Sequence, residues 1–322
     1  MKIFRFNNTV SNMLSKIMKK YGYRLKGVII IVSLAEFLLC PMKSFLYAAE
    51  YRIREAFAGQ RIIYKIKYDD SFFEIARSYD LGYNAICSAN PGFDPFVPEE
   101  NRLIVIPTEW ILPDIGIRHG IVINVAEMRL YYFPDDDTKS VITYPVGIGD
   151  EGKDTPLGIF SVIEKIKNPA WYVPKSIQLE KPELPAVVPP GPDNPMGSRA
   201  LRLSIWTVLI HGTNRPWGMG TRNSHGCIRM YEEDIQKLFE QIDIGTRVNI
   251  INQQIKIAVV GSEVYMEVHV YEDSAELEND AIKILEAKNL INEVDIDKVK
   301  EAVKEQSGLP VNVSKKIAEF LP

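Results

Sequence analysis

The chain has 322 residues, 46% hydrophobic and 25% charged, which suits a folded protein of two or three domains and excludes a disordered or collagen-like chain. Its 38 Lys and Arg against 42 Asp and Glu give a formal net charge of −4, which argues against a nucleic-acid partner, since phosphates need a basic face. Three cysteines, Cys40, Cys87 and Cys227, are too few for a disulfide framework.

The charge is unevenly placed. Residues 1–48 hold eight basic residues and one acid, Glu36, so the remainder holds 30 basic and 41 acidic residues, a net of −11. Residues 28–40 are apolar over a length that fits the core of a signal peptide and is short for a membrane span. Small residues at Ala48 and Ala49 offer a cleavage site. Residues 1–48 therefore read as a signal peptide, with an uncleaved anchor as the alternative, and membrane contact is expected only through this segment. Leu39 in front of Cys40 disfavours lipidation there, where a small residue is usual.

Residues 49–110 form the next unit. A strand is predicted over 62–67. Ser71 and Glu74 have the spacing of a capping box, and Phe72, Ile75, Ala76 and Tyr79 recur at helical spacing behind it. A second helix is predicted over 84–89, stopped by Asn90, Pro91 and Gly92. A strand over 103–107 ends at Pro107. This strand–helix–helix–strand order resembles a LysM module, with Tyr64, Asp70, Ile75, Ala76, Asn90, Ile106 and Pro107 at the family's positions. Asp69 departs from it, standing where the family usually has glycine, and so do Glu99 and Glu100. The resemblance implies binding to peptidoglycan strands; a small structural domain without a ligand is the alternative.

Residues 111–256 are rich in strands, predicted over 120–125, 128–133, 141–146, 159–163, 201–210 and 246–251. The segment 182–197 carries six prolines and is expected as an ordered loop or lid. Ile235, Leu238, Phe239 and Ile242 sit at helical spacing, with Gly245 as a stop. Residues 257–322 form an α+β tail, with a strand over 264–270 and charged helices over 275–288 and 296–306. The expected fold class is multidomain and mainly β: a β-sandwich or barrel-like domain, a small α+β module before it and an α+β extension after it.

The chemistry concentrates in His211-Gly212 and Ser224-His225-Gly226-Cys227-Ile228-Arg229. A cysteine nucleophile needs a base or a positive neighbour, and two histidines lie close to Cys227. Gly226 lets a substrate approach the backbone, and the Gly226 and Cys227 amides are candidate oxyanion donors for acyl transfer. His225, two residues before Cys227, shares its side of a strand and is open as base, as pKa tuner or as support. Arg229 shares the alternation and suits either a substrate carboxylate or an internal acid. Ser224 reads as a turn residue, His119 and His269 as structural. Trp171, Tyr172 and Trp217 are candidates for a cleft lining or a buried core.

His211 to Val248 resembles the L,D-transpeptidase catalytic domain, also called YkuD: a His-Gly pair, a loop, then Ser-His-Gly-Cys, an apolar residue and Arg. Gly147, residues 155–160 and residues 194–197 match its flanking segments, so the likeness spans about 116–252. With the LysM-like unit, it resembles a Gram-negative branch of the family. The resemblance implies Cys227 as nucleophile, His211 as proton acceptor and donor, and the Gly212 carbonyl as the group orienting the His211 ring, with Ser224, His225, Gly226 and Arg229 in support. It implies no cofactor and no metal. The partners it implies are peptidoglycan stem peptides and glycan strands, with a lipoprotein as a further candidate acceptor, and the location it implies is the periplasm, in association with the cell wall. Three rivals stand beside this reading: a hydrolase on the same scaffold, a zinc enzyme using His211, His225 and Cys227, and a non-catalytic wall-binding protein. The zinc reading lacks both H-E-x-x-H and C-x-x-C.

Overall fold

The computed structural model describes residues 50–135, 139–271 and 276–315; the expected signal peptide, with Cys40, Ala48 and Ala49, lies outside them. Among the described residues no helix is long and apolar enough to cross a membrane.

The chain enters through strands β1 (Glu50–Arg52) and β2 (Phe57–Gly59), followed by β3 (Ile62–Lys65), helices α1 (Phe72–Ser78) and α2 (Tyr83–Ala89), and strands β4 (Leu103–Ile106) and β5 (Glu109–Ile111). β3 and β4 pair antiparallel, Ile62 opposite Ile106, and β2 pairs with β5. One half of the capping box forms: Ser71 Oγ accepts the Glu74 N–H at 3.3 Å, and it donates to the Glu74 carboxylate at 3.1 Å. Phe72, Ile75 and Ala76 turn their shared face into the core of this unit. Asn90 ties α2 to β4, donating to the carbonyls of Ile86 and Val105 and accepting the Val105 N–H at 2.7 Å. Asp69, in the glycine position of the resemblance, has a φ of +64°, a conformation that aspartate tolerates better than most residues.

The second part runs through β6 (Gly120–Asn124), β7 (Arg129–Phe133), β8 (Ser140–Pro145), β9 (Ile148–Gly149), β10 (Gly158–Lys167), β11 (Trp171–Tyr172), α3 (Lys175–Glu180), β12 (Val187–Val188), β13 (Arg199–Leu203), β14 (Leu209–His211), β15 (Arg222–Ser224), β16 (Ile228–Arg229), α4 (Glu232–Gln241) and β17 (Arg247–Ile251). Nine strands join in the order β1-β8-β7-β6-β17-β10-β13-β14-β16. The ten-residue β10 links two halves: residues 158–161 pair with β17, and residues 162–167 pair with β13 beyond an irregularity between Val162 and Glu164. A strand that changes partners in this way is how sandwiches turn a corner. Ile121, Ile123, Leu130 and Tyr144 from one half share a single core with Leu201, Leu203, Ile210 and Ile228 from the other, and α4 adds Ile235, Leu238 and Phe239.

Two expected elements differ. The strand predicted over 201–210 is a hairpin, β13 and β14, paired Ala200 to His211 and Arg202 to Leu209 around a turn at 204–207. The proline-rich segment is a loop as expected except for β12, which pairs with β11, Trp171 opposite Val188. Helix α3, between β11 and β12, precedes the proline run and was not expected. β1, by sequence part of the preceding unit, is the edge strand beside β8, with Tyr51 opposite Val141.

The tail consists of β18 (Ile255–Val260), β19 (Glu263–Val268), α5 (Leu277–Ala287), α6 (Ile296–Glu305) and β20 (Val311–Asn312), with the sheet order β18-β19-β20. The division expected after residue 256 falls inside β18. A buried ionic cluster fastens this tail to the rest. The Lys256 ammonium, fully buried, contacts Glu127 and lies 2.7 Å from Glu267, while donating to the Ile111 carbonyl at 2.6 Å. His269 Nε2 lies 2.7 Å from Glu267 and 3.2 Å from Glu127. Burial opposes charge on His269, but the two carboxylates outweigh it and raise its pKa. Burial would also raise Glu127; Lys256 and His269 instead bring it down to about 2. Glu127, Glu267 and His269 are close enough to ligate a cation together, and Lys256 supplies the positive charge between the carboxylates. Lys256→Ala leaves two carboxylates buried without it and is expected to cost about 3–5 kcal/mol in denaturant unfolding; a loss below about 1 kcal/mol would mean the cluster does not hold the tail.

Candidate active site

β14 and β16 run parallel, with Ile210 opposite Ile228 and His211 opposite Arg229. Ile210 and Ile228 are completely buried in the core, so alternation puts Leu209, His211 and Arg229 on the other face. Cys227 immediately precedes β16, in the same alternation, alongside Leu209. The hairpin and the loop 212–223 thus carry the two sequence-predicted reactive side chains to one sheet edge.

His211 is buried, and its Nδ1 lies 2.6 Å from the Gly212 carbonyl oxygen. A carbonyl only accepts, so Nδ1 carries the proton and Nε2 keeps its lone pair. Burial, and then the charge of Arg229, push His211 down to about 4; the Gly212 bond offsets part of this. Cys227 is a free, half-buried thiol whose Sγ lies 3.7 Å from the Thr207 carbonyl. Burial raises its pKa, opposed by the Leu209 backbone and by Arg229 and Arg202. Imidazole and thiol are therefore both neutral at rest near pH 7. Cys87, the other described cysteine, is also free and lies in α2.

The turn from Ser224 to Cys227 is closed by its own side chains. Ser224 Oγ donates to the Cys227 carbonyl at 2.6 Å and accepts the Gly226 N–H at 3.1 Å. Both bonds of the hydroxyl of Ser224, which ends β15, stay within this segment. The Gly226 amide is thereby used inside the turn, which removes it from the oxyanion candidates and keeps the Cys227 amide among them. Gly226 has a φ of +99°, a region that L side chains rarely adopt. Thr155 braces the turn from the opposite side, donating to the Gly226 carbonyl at 3.2 Å and accepting the Gly149 N–H at 2.9 Å.

Strand alternation does not relate His225 to Cys227. The chain bends at residues 225 and 226, which breaks the strand alternation behind the sequence expectation. The ring is exposed, and its Nε2 lies 2.8 Å from Lys153 Nζ and 3.1 Å from the Glu180 carboxylate of α3. Lys153 and Glu180 are themselves 2.7 Å apart, and the hydrogen bonds from Lys153 and His225 lower the pKa of Glu180. His225 thus joins the Cys227 turn to the segment carrying α3. The same segment is clasped by buried Asn194, whose Nδ2 donates to the carbonyls of Pro169, Val188 and Pro189. Arg229 donates to the Asn223 side-chain carbonyl at 2.9 Å, a neutral partner rather than the internal acid left open by the sequence. Its Nε is buried without a hydrogen-bond partner. Tyr172 and Trp217 are exposed, which removes them from the core. His119 pairs with Asp135, and His269 belongs to the buried cluster, both outside this site.

Asn223, Lys153 and Glu180 carried no signal in the sequence, because each acts through a partner more than four residues away. The family profile described as the L,D-transpeptidase catalytic domain matches residues 118–250, and the LysM domain profile matches residues 64–107. The probable L,D-transpeptidase YbiS of Escherichia coli K12 is 41% identical over 254 residues, which cover 74% of this chain and 82% of YbiS. The chain belongs to the L,D-transpeptidase family. The probable L,D-transpeptidase YcfS of the same strain is 45% identical over 215 residues, covering 62% of this L,D-transpeptidase and 67% of YcfS. Among solved structures, the catalytic domain of an Enterococcus faecium L,D-transpeptidase aligns with a TM-score of 0.33 and 19% identity over 42% of this chain and all of that domain. The mainly β architecture with a LysM module at its head agrees with the sequence expectation of fold class.

Proposed function

We propose that this L,D-transpeptidase works through a thioester on Cys227, with His211 as the shuttling base. The observation that carries the reading is the bond from His211 Nδ1 to the Gly212 carbonyl, which leaves Nε2 as the basic atom on the face that holds Cys227. In the first transfer the Cys227 proton moves to Nε2 as sulfur attacks the carbonyl of the diamino acid in a stem tetrapeptide. The new C–S bond forms, the C–N bond to terminal D-Ala breaks, and the proton leaves with the amine. An amine from a second stem peptide, or from a lipoprotein, then attacks the thioester; its proton passes through His211 back to sulfur. The Cys227 amide faces the developing oxyanion, Arg229 takes a substrate carboxylate, and the LysM module holds the glycan strand. Mass spectrometry of muropeptides after incubation with peptidoglycan tests the reaction: crosslinked dimers support transfer, and tripeptides without dimers would point to water as the acceptor.

The depressed His211 pKa sets the pH profile. The ring is the competent neutral base above about pH 4, so kcat/KM for acylation is expected to hold level from pH 8 down to about pH 5 and to fall only as His211 becomes protonated near pH 4. An acid limb centred near the ordinary histidine value of about 6.5 would assign the base elsewhere.

The site of action proposed is the periplasm, reached by the leader in residues 1–48 and its cleavage near Ala48 or Ala49. N-terminal sequencing of protein recovered from cells checks this: a chain still beginning at Met1 would overturn the cleavage.

A further inference from the structure

The LysM module touches the loop that joins His211 to Cys227, and the contact is between backbones. Gly82, at the start of α2, sits against Gly220: a Cβ on Gly82 would lie 2.6 Å from the Gly220 Cα. No side chain separates the two segments. The Tyr83 N–H donates to the Met219 carbonyl at 2.9 Å, and Met219 is buried. Flanking groups fix the approach. Arg77 pairs with Glu233 at 2.5 Å and lies 4.0 Å from the Tyr231 ring centroid, and the Tyr231 hydroxyl lies 3.5 Å from the Leu81 carbonyl. Asp80 and Asp234, both buried, share a hydrogen bond across the same boundary.

From Gly220 a short relay reaches the proposed site. One residue before Met219, the Gly218 carbonyl accepts from Asn223 Nδ2 at 2.6 Å. The other end of that amide, Asn223 Oδ1, accepts from Arg229 at 2.9 Å. Arg229 is locked at its backbone to Gly147, at 2.8 and 2.9 Å, and stands opposite His211 in the strand pair. The amide of Asn223 is therefore oriented by a carbonyl in a loop whose far side rests on the LysM module. Nothing in the relay is charged until Arg229, so its effect is on position rather than on field.

We propose that Gly82 and the Tyr83 N–H are positioning groups for the active site: the turn between α1 and α2 holds loop 216–223 in the register that aims Arg229 at the substrate carboxylate. This rests on the reading of Cys227, His211 and Arg229 given above. The LysM module is then a structural member of the catalytic unit, in addition to any role in holding glycan.

Gly82→Ala tests it cleanly. Gly82 has φ −80° and ψ 152°, which alanine adopts without strain, so the only thing the methyl violates is the contact with Gly220. The expected result in the full-length enzyme is a rise in KM for a stem tetrapeptide of about tenfold, with kcat and the rate of Cys227 alkylation by iodoacetamide within about twofold of the parent. Asn223→Ala is expected to give the same KM change, and the double variant no more than either alone, since both cut one relay. A folded Gly82→Ala with unchanged KM, or strict additivity with Asn223→Ala, overturns the proposal. Should Gly82→Ala fail to fold, Tyr83→Pro removes the N–H at the first helical position, where proline is tolerated, and Tyr83→Ala removes the ring alone. A raised KM in the proline variant only supports the proposal; equal KM values in the two overturn it. Cys227→Ala run in the same assay separates the layers: activity retained there refutes the nucleophile, whereas a dead Cys227→Ala beside a normal Gly82→Ala refutes only the relay.

Discussion

Cys227→Ala is expected to lower crosslink formation by about 10⁴-fold or more, to the background of peptide binding without chemistry. The hydroxyl nearest in sequence, that of Ser224, is not free to replace the thiol. Ser224 is buried, and its hydroxyl is committed to the Cys227 carbonyl and the Gly226 amide. Far-ultraviolet circular dichroism should be unchanged, because a half-buried thiol bonded to one carbonyl at 3.7 Å contributes little to the fold. The acyl-enzyme is the decisive observable. Incubation with a tetrapeptide, followed by intact-mass spectrometry, should show an adduct on the parent enzyme and none on the variant. An adduct on Cys227→Ala, or crosslinking within tenfold of the parent, would remove the thiol from the mechanism.

The second large effect separates the two histidines. His211→Asn is expected to slow acylation by about 10³-fold, within the range assigned to a general base. His225→Asn is expected to cost less than about fivefold, because its ring is exposed and bound to Lys153 and Glu180. The contrast follows from geometry. His211 has one nitrogen committed to the Gly212 carbonyl and lies on the face of Cys227, while His225 points across the bend toward α3. Stopped-flow acylation of both variants at pH 7 decides between them, and equal losses would reverse the assignment.

Sequence made the proposed reacting pair legible because both residues stand in a compact motif with chemically distinctive neighbours. The strands β6, β7 and β8 were legible for a different reason: they are runs of apolar β-branched or aromatic residues, and each is bounded by Gly, Pro or Asp. The β13–β14 hairpin was hidden because residues 201–210 carry no glycine or proline at the turn, which Ser204 and its neighbours make instead. The surroundings of His225 were not legible, because strand alternation stops at Gly226, whose positive φ bends the chain at that point. The Lys256 cluster joins residues 145 and 156 positions apart, and the Tyr231–Leu81 contact beside the Asn223 relay spans 150, and such pairings leave no local pattern. Even so, the relay shows a faint trace: glycines at 218 and 220, where a Cβ would collide with Asn223 or Gly82.

The edge strand β1 bears on how the protein is produced. It begins at Glu50, directly after the expected cleavage site, and covers one side of β8, all six residues of which are buried. A chain trimmed past Arg52 would bare the backbone donors and acceptors of an apolar strand, a template for pairing with another molecule. Trimming by three residues too many thus exchanges a short three-residue edge for the longer apolar edge of β8, so recombinant versions started at Glu50 or earlier should stay dispersed where those started at Ile53 clump.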